Sequence, residues 1–232
     1  MDILKAVNLS FLIGVKMKYK CLIFDHDDTA VNSTRNVHFP CFLEFVEKYN
    51  LNLNFTLEEY VSYNFEPGLV KFYREICGMD DDLMDKEHAY WIDYASKNRA
   101  TAFPGIKEIM DEHINSGGIL TVVSHSHRDN ILRDYEYNGF PTPHLILGFE
   151  QPREELKPSP IPVFKIMEKY NLKPEEVIVI DDLKPGYTMA KAAGVSFAAS
   201  AWCFDIEKNK AFMKEHADYY CSTVEELGEA LR

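Results

Sequence analysis

The chain has 232 residues, 46% of them hydrophobic and 27% charged, a balance that suits a folded α/β unit with room for an inserted second domain and excludes an intrinsically disordered chain. A formal net charge of −12 argues against nucleic-acid partners, which need a basic surface. It leaves an anionic substrate open, because a bound cation reverses the field locally. Cys21, Cys41, Cys77, Cys203 and Cys221 are scattered with no Cys-x-x-Cys pair, which points to free thiols and a reducing, cytoplasmic compartment. No apolar stretch is long enough to span a membrane, so no membrane partner is expected.

At the N-terminus, residues 7–15 are weakly apolar between Lys5 and the lysines at 16, 18 and 20. A signal peptide would carry a small-residue cleavage site, and none is evident. Residues 1–18 are therefore read as an extension ahead of the first strand. Residues 19–25 (YKCLIFD) form a short apolar run ending in charge, the pattern of a buried strand. Similar runs follow at 119–124 (ILTVVS), 144–149 (HLILGF), 177–180 (VIVI) and, more weakly, 195–200 (VSFAAS). Helical spacing appears at 106–116, where Ile106, Ile109, Met110 and Ile114 share a face ahead of Gly117 and Gly118. Further helices are expected at 161–170, 187–193, 207–216 and 224–231.

Strands alternating with helices predict a parallel sheet covered on both faces, an α/β Rossmann-like core. Residues 32–104, between the first two strands, are too long for a simple crossover and helical in pattern. In HFPCFLEFVEKY, Phe42, Leu43, Phe45, Val46 and Tyr49 fall on or near one face. The expected organisation is thus a core of 19–31 plus 105–232, with 32–104 as an inserted helical cap.

Ligands of parallel sheets bind beyond the carboxyl ends of the strands. There the sequence places Asp25, His26, Asp27 and Asp28 after the first run, Ser124 to His127 after the second, and Asp181-Asp182 after the fourth; Lys157 lies in the loop after the third. Clustered carboxylates repel without a cation between them, and an oxygen-only donor set suits a hard ion such as Mg²⁺. Two carboxylates one residue apart can divide the roles of nucleophile and proton carrier, with a lysine and a hydroxyl orienting a phosphoryl group. The bland alternatives are a strand-end turn for Asp25 and Asp27, a loop hydroxyl for Ser124, and Lys173 or Lys184 in place of Lys157. His26, His125 and His127 could also gather on a transition metal.

The strings CLIFDHDDT, TVVSHS, LKPSP and VIVIDD, in that order over roughly residues 19–200, resemble the four motifs of the haloacid dehalogenase superfamily. The insert looks like the helical cap of its phosphoglycolate phosphatase and β-phosphoglucomutase-like branch. The resemblance implies a Mg²⁺-dependent phosphatase acting on a small phosphorylated metabolite through an aspartyl-phosphate. Asp25 would be nucleophile and metal ligand. Asp27 would be general acid and base, with its backbone carbonyl on the metal. Asp182 would ligate the metal, supported by Asp181. Ser124, His125 (through its backbone N–H) and Lys157 would hold the phosphoryl oxygens, and Thr29 would orient the loop. A phosphomutase acting on a sugar phosphate would use the same residues; a catalytically silent binding protein is the non-enzyme alternative. Three positions depart from the pattern. Asp28 stands where glycine is common, His125 where asparagine is common, and Gly186 where many relatives carry another carboxylate.

Overall fold

The computed structural model describes residues 17–232. The extension read at 1–18 therefore lies almost wholly outside the described residues. Ordered contact with the core already exists at its end: Met17 packs against the core and the Lys18 N–H donates to the Leu231 carbonyl at 2.8 Å.

Six parallel strands form one sheet: β1 (Cys21–Phe24), β2 (Ile119–Val123), β3 (Leu145–Leu147), β4 (Val177–Asp181), β5 (Ser196–Ser200) and β6 (Tyr219–Cys221), in the order β3-β2-β1-β4-β5-β6. Successive side chains point to opposite faces, so each central strand feeds two cores. Leu22, Phe24, Leu120, Val122, Ile178 and Ile180 pack under one face. Cys21, Ile23, Val123, Val177 and Val179 pack under the other. This double burial explains why the central strands read as unbroken apolar runs.

Four elements of the insert follow β1: α1 (Phe39–Lys48), α2 (Leu57–Tyr63), α3 (Leu69–Lys71) and α4 (Asp81–Lys97). The core helices are α5 (Ile106–Asn115), α6 (Arg128–Tyr137), α7 (Ile161–Tyr170), α8 (Lys184–Ala193), α9 (Glu207–His216) and α10 (Val224–Leu231). Helix α8 starts earlier than its apolar pattern suggests, because Pro185 fits a first helical turn whose N–H groups have no intrahelical partner. It ends at Gly194, φ 74°, a left-handed conformation that glycine adopts without a Cβ clash. Strand β6 carries no readable pattern, since it is three residues long, lies at the sheet edge and has half-exposed tyrosines.

The insert has an aromatic core of its own: Phe42, Phe45, Val46, Tyr60, Phe72, Tyr73 and Met79. Leu43, expected on the buried face, is 43% exposed; it sits about 100° round the helix from Phe42 and misses the stripe. Sharp caps start two of the helices. Thr56 and Glu59 form a reciprocal capping box on α2, and the Asp80 carboxylate accepts the Leu83 N–H at 2.9 Å on α4. The two connections to the core pair with each other: Asn32 N–H donates to Thr101 O at 2.9 Å, Phe103 N–H to Ala30 O at 3.2 Å, and Val31 bridges Ala102 antiparallel. The far end of the insert also touches the core. Phe65 packs edge-on against Phe212, and Glu66 pairs with Lys208.

Glu87 of α4 is only 8% exposed. Burial pushes its pKa up to about 7, against the smaller pull of the Tyr73 hydroxyl and His38. The unfolded chain releases this proton near pH 4.3. The stability it contributes is therefore complete below that pH and lost as pH rises through about 7. Glu87→Gln should leave stability at pH 4 nearly unchanged and raise it at pH 8 by about 3–4 kcal/mol in urea denaturation. An equal effect at both pH values would contradict a raised pKa.

Candidate active site

The sheet register sets the site. Phe24 pairs with Val122 on one side and Ile180 on the other, so the residues that follow emerge along one rim. Asp25 continues β1, its N–H donating to Ile180 O at 2.8 Å. Ser124 follows β2 and is buried, and Asp181 is the last residue of β4. Lys157 arrives from the loop between β3 and α7. Its Nζ donates to Asp25 Oδ1 and to Asp181 Oδ2, both at 2.7 Å. Asp25 is 5%, Asp181 1% and Lys157 9% exposed.

Asp25, Asp181 and Asp182 each present a carboxylate oxygen, and these lie within 4.8 Å of one another. Burial raises all three carboxyl pKa values. Lys157 opposes this at Asp25; Asp181, also held back by Lys157, still reaches about 6; the neighbouring Asp181 charge adds to the rise at Asp182. The two carboxylates in turn hold the Lys157 ammonium charged, above its ordinary range and against its own burial. One ammonium among three carboxylates leaves the cluster short of positive charge. The donors are hard oxygens throughout, so the cluster fits a small hard cation better than a soft one.

Asp27, expected at the metal through its backbone carbonyl, turns its side chain away from this cluster. Oδ2 accepts from Ser126 Oγ at 2.7 Å and from Ser124 Oγ at 3.3 Å, and Oδ1 faces His38 Nε2 at 3.0 Å. Burial works against its charge, but His38 and Ser126 outweigh it and hold the carboxyl well below the usual range. His38 accepts the Trp91 indole N–H on Nδ1 at 3.0 Å. Burial lowers the His38 pKa, but Asp27 outweighs that and draws it upward. The indole contact nevertheless demands a lone pair on Nδ1, which an imidazolium lacks. While that contact is made the ring is neutral, with its proton on Nε2, and it lowers the Asp27 pKa through its hydrogen bond rather than through charge.

Sequence reading missed Ser126 and His38 as partners of Asp27. Ser126 is two residues beyond Ser124, but nothing in the chain pattern distinguishes it from a loop serine. His38 sits eleven positions after Asp27 in the insert, and only the fold brings it back. The other sequence-selected residues have these places. Thr29 Oγ1 bonds Ser200 Oγ at 2.8 Å, tying the loop after β1 to the end of β5. The His125 ring is exposed at the rim and its Nε2 donates to the Lys157 carbonyl at 3.1 Å. Asp28 has φ 55°, in the left-handed region that explains why glycine suits this position; its Oδ1 accepts the Thr34 N–H at 2.9 Å. The three histidines do not gather. His26 turns into the core, 3.4 Å from Asp134, and His127 packs among Trp91, His88 and Phe149. Among the described residues, the grouping with metal-ligand geometry is the carboxylate trio. Of the rival lysines, Lys184 lies over the Phe212 ring and Lys173 is exposed.

Gly186 explains its own departure. A Cβ there would lie 2.2 Å from the Asp181 Cγ and Oδ2, so any side chain at 186 and the present position of Asp181 exclude each other. Gly186→Ala should push Asp181 off Lys157, destabilise the fold by about 1–3 kcal/mol and weaken Mg²⁺ binding at least tenfold. Wild-type values in a metal titration and a urea melt would show that the rim yields freely.

The parallel sheet with helices on both faces is a Rossmann-like α/β fold with an acid-lined rim. The model of the haloacid dehalogenase-like hydrolase family matches residues 22–200, and the chain belongs to that family. It is 26% identical to a Caldanaerobacter subterraneus subsp. tengcongensis protein provisionally named pyrophosphatase PpaX, over 93% of this chain and 94% of that one. Its fold is similar to that of a haloacid dehalogenase-like hydrolase from Bacteroides fragilis, with TM-score 0.76, 24% identity, and 90% and 100% of the two chains covered. It is similar also to a Haemophilus somnus protein described as a phosphoglycolate phosphatase, with TM-score 0.72, 18% identity, and 93% and 99% covered. Among the described residues, no helix is long and apolar enough to cross a membrane.

Proposed function

We propose that this enzyme is a Mg²⁺-dependent phosphatase of small phosphorylated metabolites. The observation that carries the proposal is the cluster of buried Asp25 and Asp181 and half-buried Asp182, with Lys157 bridging two of its members. Asp25, Asp182 and the Asp27 carbonyl would hold the cation, with Asp181 beside them. When bound, Mg²⁺ supplies positive charge that offsets the phosphoryl oxygens and lets a carboxylate approach phosphorus.

The chain's own residues do the rest. Lys157 and Ser124, with the His125 backbone N–H, orient the phosphoryl oxygens. An Asp25 carboxylate oxygen attacks phosphorus, the bond to the leaving oxygen breaks, and that oxygen takes a proton from Asp27, which takes one up as the substrate's negative charge arrives beside it and raises its proton affinity. The Asp27 carboxylate then removes a proton from water. The water oxygen attacks the aspartyl-phosphate, inorganic phosphate leaves, and Asp25 returns to its starting form. Residues 32–104 act as a lid that reads the leaving group, hinging around 32–36 and 99–105. Structures with and without a phosphate analogue, showing the lid equally distant from the rim in both, would overturn that assignment.

A panel of phosphorylated metabolites, with pyrophosphate included because of the relative's name, tests the activity. Phosphate release should stop in EDTA and return with Mg²⁺. The Mg²⁺ requirement should rise as pH falls through about 6, because protonation of Asp181 then removes a negative charge beside the cation. Restoration by Zn²⁺ alone, or no release from any member of the panel, would sink the proposal. Dependence on an added sugar bisphosphate would instead indicate a phosphomutase.

A further inference from the structure

We propose that Trp91 and His38, both contributed by the insert, are positioning residues that aim the Asp27 carboxylate. Asp27's role as acid and base rests on the phosphatase reading; the hydrogen-bond chain does not. Trp91 Nε1–H donates to His38 Nδ1 at 3.0 Å, and His38 Nε2–H donates to Asp27 Oδ1 at 3.0 Å. Ser126 Oγ–H holds the other oxygen, Oδ2, at 2.7 Å.

An indole N–H can only donate. It therefore needs a free lone pair on Nδ1, and the tautomer that offers one is the same tautomer that the acceptor-only Asp27 carboxylate requires at Nε2. His38 lies at the end of the helical turn Thr34–His38 and Trp91 in the middle of α4, so two separate segments of the insert must be docked to complete the chain. Asp27 is consequently gripped from both sides, by the insert at Oδ1 and by the core at Oδ2. Rotation of the carboxylate is stopped only while the insert is in place. The insert then does more than cover a substrate, because its docking and the orientation of the acid-base group are one event.

Three measurements on the full-length protein test this. In ¹⁵N NMR of the metal-free protein, the His38 ring should be protonated on Nε2 with the Trp91 indole N–H hydrogen-bonded to Nδ1, and in kinetics Trp91→Phe should lower kcat, less than His38→Ala does, with KM little changed. In kinetics, His38→Ala should lower kcat about 10–100-fold with KM little changed, as expected for a misaimed group. His38→Gln, which keeps an N–H donor, should recover part of the loss. In a double-mutant cycle, His38→Ala should cost little further once Asp27→Asn is present, because both act through one carboxylate. Additive losses, an Nδ1-protonated ring in the wild type, or a kcat indifferent to Trp91→Phe would overturn the inference. If the wild type releases phosphate from no substrate, the phosphatase reading fails by itself, and the NMR result alone decides whether the insert orients Asp27.

Discussion

Asp25→Asn is expected to abolish phosphate release, by on the order of 10⁴-fold or more, while the protein stays folded. The carboxamide is nearly isosteric and still offers Lys157 the Oδ1 acceptor that lies 2.7 Å from Nζ. It has no anionic oxygen to attack phosphorus, and it withdraws one charge from the metal cluster. Stability should move the other way from activity. Asp25 is buried beside Asp181 and Asp182, and burial and its like-charged neighbour Asp27 both raise its pKa. Removing its charge relieves repulsion in the metal-free protein, so Tm should be equal to wild type or higher. The pair of measurements is sharper than either alone. Lost activity with a lower Tm would indicate damage to the fold, and near wild-type phosphate release would remove the covalent mechanism.

Lys157→Met should produce the largest loss of stability. The ammonium is buried and bonds two buried carboxylates. Deleting one partner of such a network leaves uncompensated charge in a poorly solvated place, which typically costs about 3–5 kcal/mol. For a chain of this size that corresponds to a Tm drop on the order of 10 °C. Two features separate this cause from simple loss of packing. The deficit should be smaller at pH 5 than at pH 8, because the raised carboxyl pKa values, about 6 for Asp181, let protons neutralise the cluster. Added Mg²⁺ should also restore part of the Tm, since the cation replaces the missing positive charge, but it should not restore turnover. A Tm deficit independent of both pH and Mg²⁺ would assign Lys157 to packing alone.

Both expectations concern residues that the amino-acid sequence marks out by itself, and the reason is local. The strand-end carboxylates Asp25 and Asp181, and Ser124 beyond β2, lie directly after short apolar runs that are continuous because the parallel sheet is buried on both faces. Chain direction alone then delivers them to one rim, and the sheet register agrees. The insert is legible for the same kind of reason. Helical spacing of Phe42, Phe45 and Val46 marks a buried face, and 32–104 is too long for a crossover.

What the chain pattern leaves undecided depends on contacts between residues far apart in sequence or on space left by a missing side chain. Strand β6 is too short and too exposed at the sheet edge to carry a period. By its spacing, Asp27 reads as the proton carrier beside Asp25, but the sequence does not say what holds its carboxylate. In the fold its side chain faces Ser126, 99 residues away, and His38 of the insert, itself oriented by Trp91 of α4. The rival lysines are separated only by where their ammonium groups end, Lys157 between two carboxylates and Lys184 over the Phe212 ring. Gly186 reads as a missing carboxylate, whereas in the fold Asp181 occupies the space its Cβ would need. Strand-end chemistry is written in the sequence because each residue is placed by its own strand. The partners that orient that chemistry are chosen by packing between segments, and that is decided only when the tertiary structure closes.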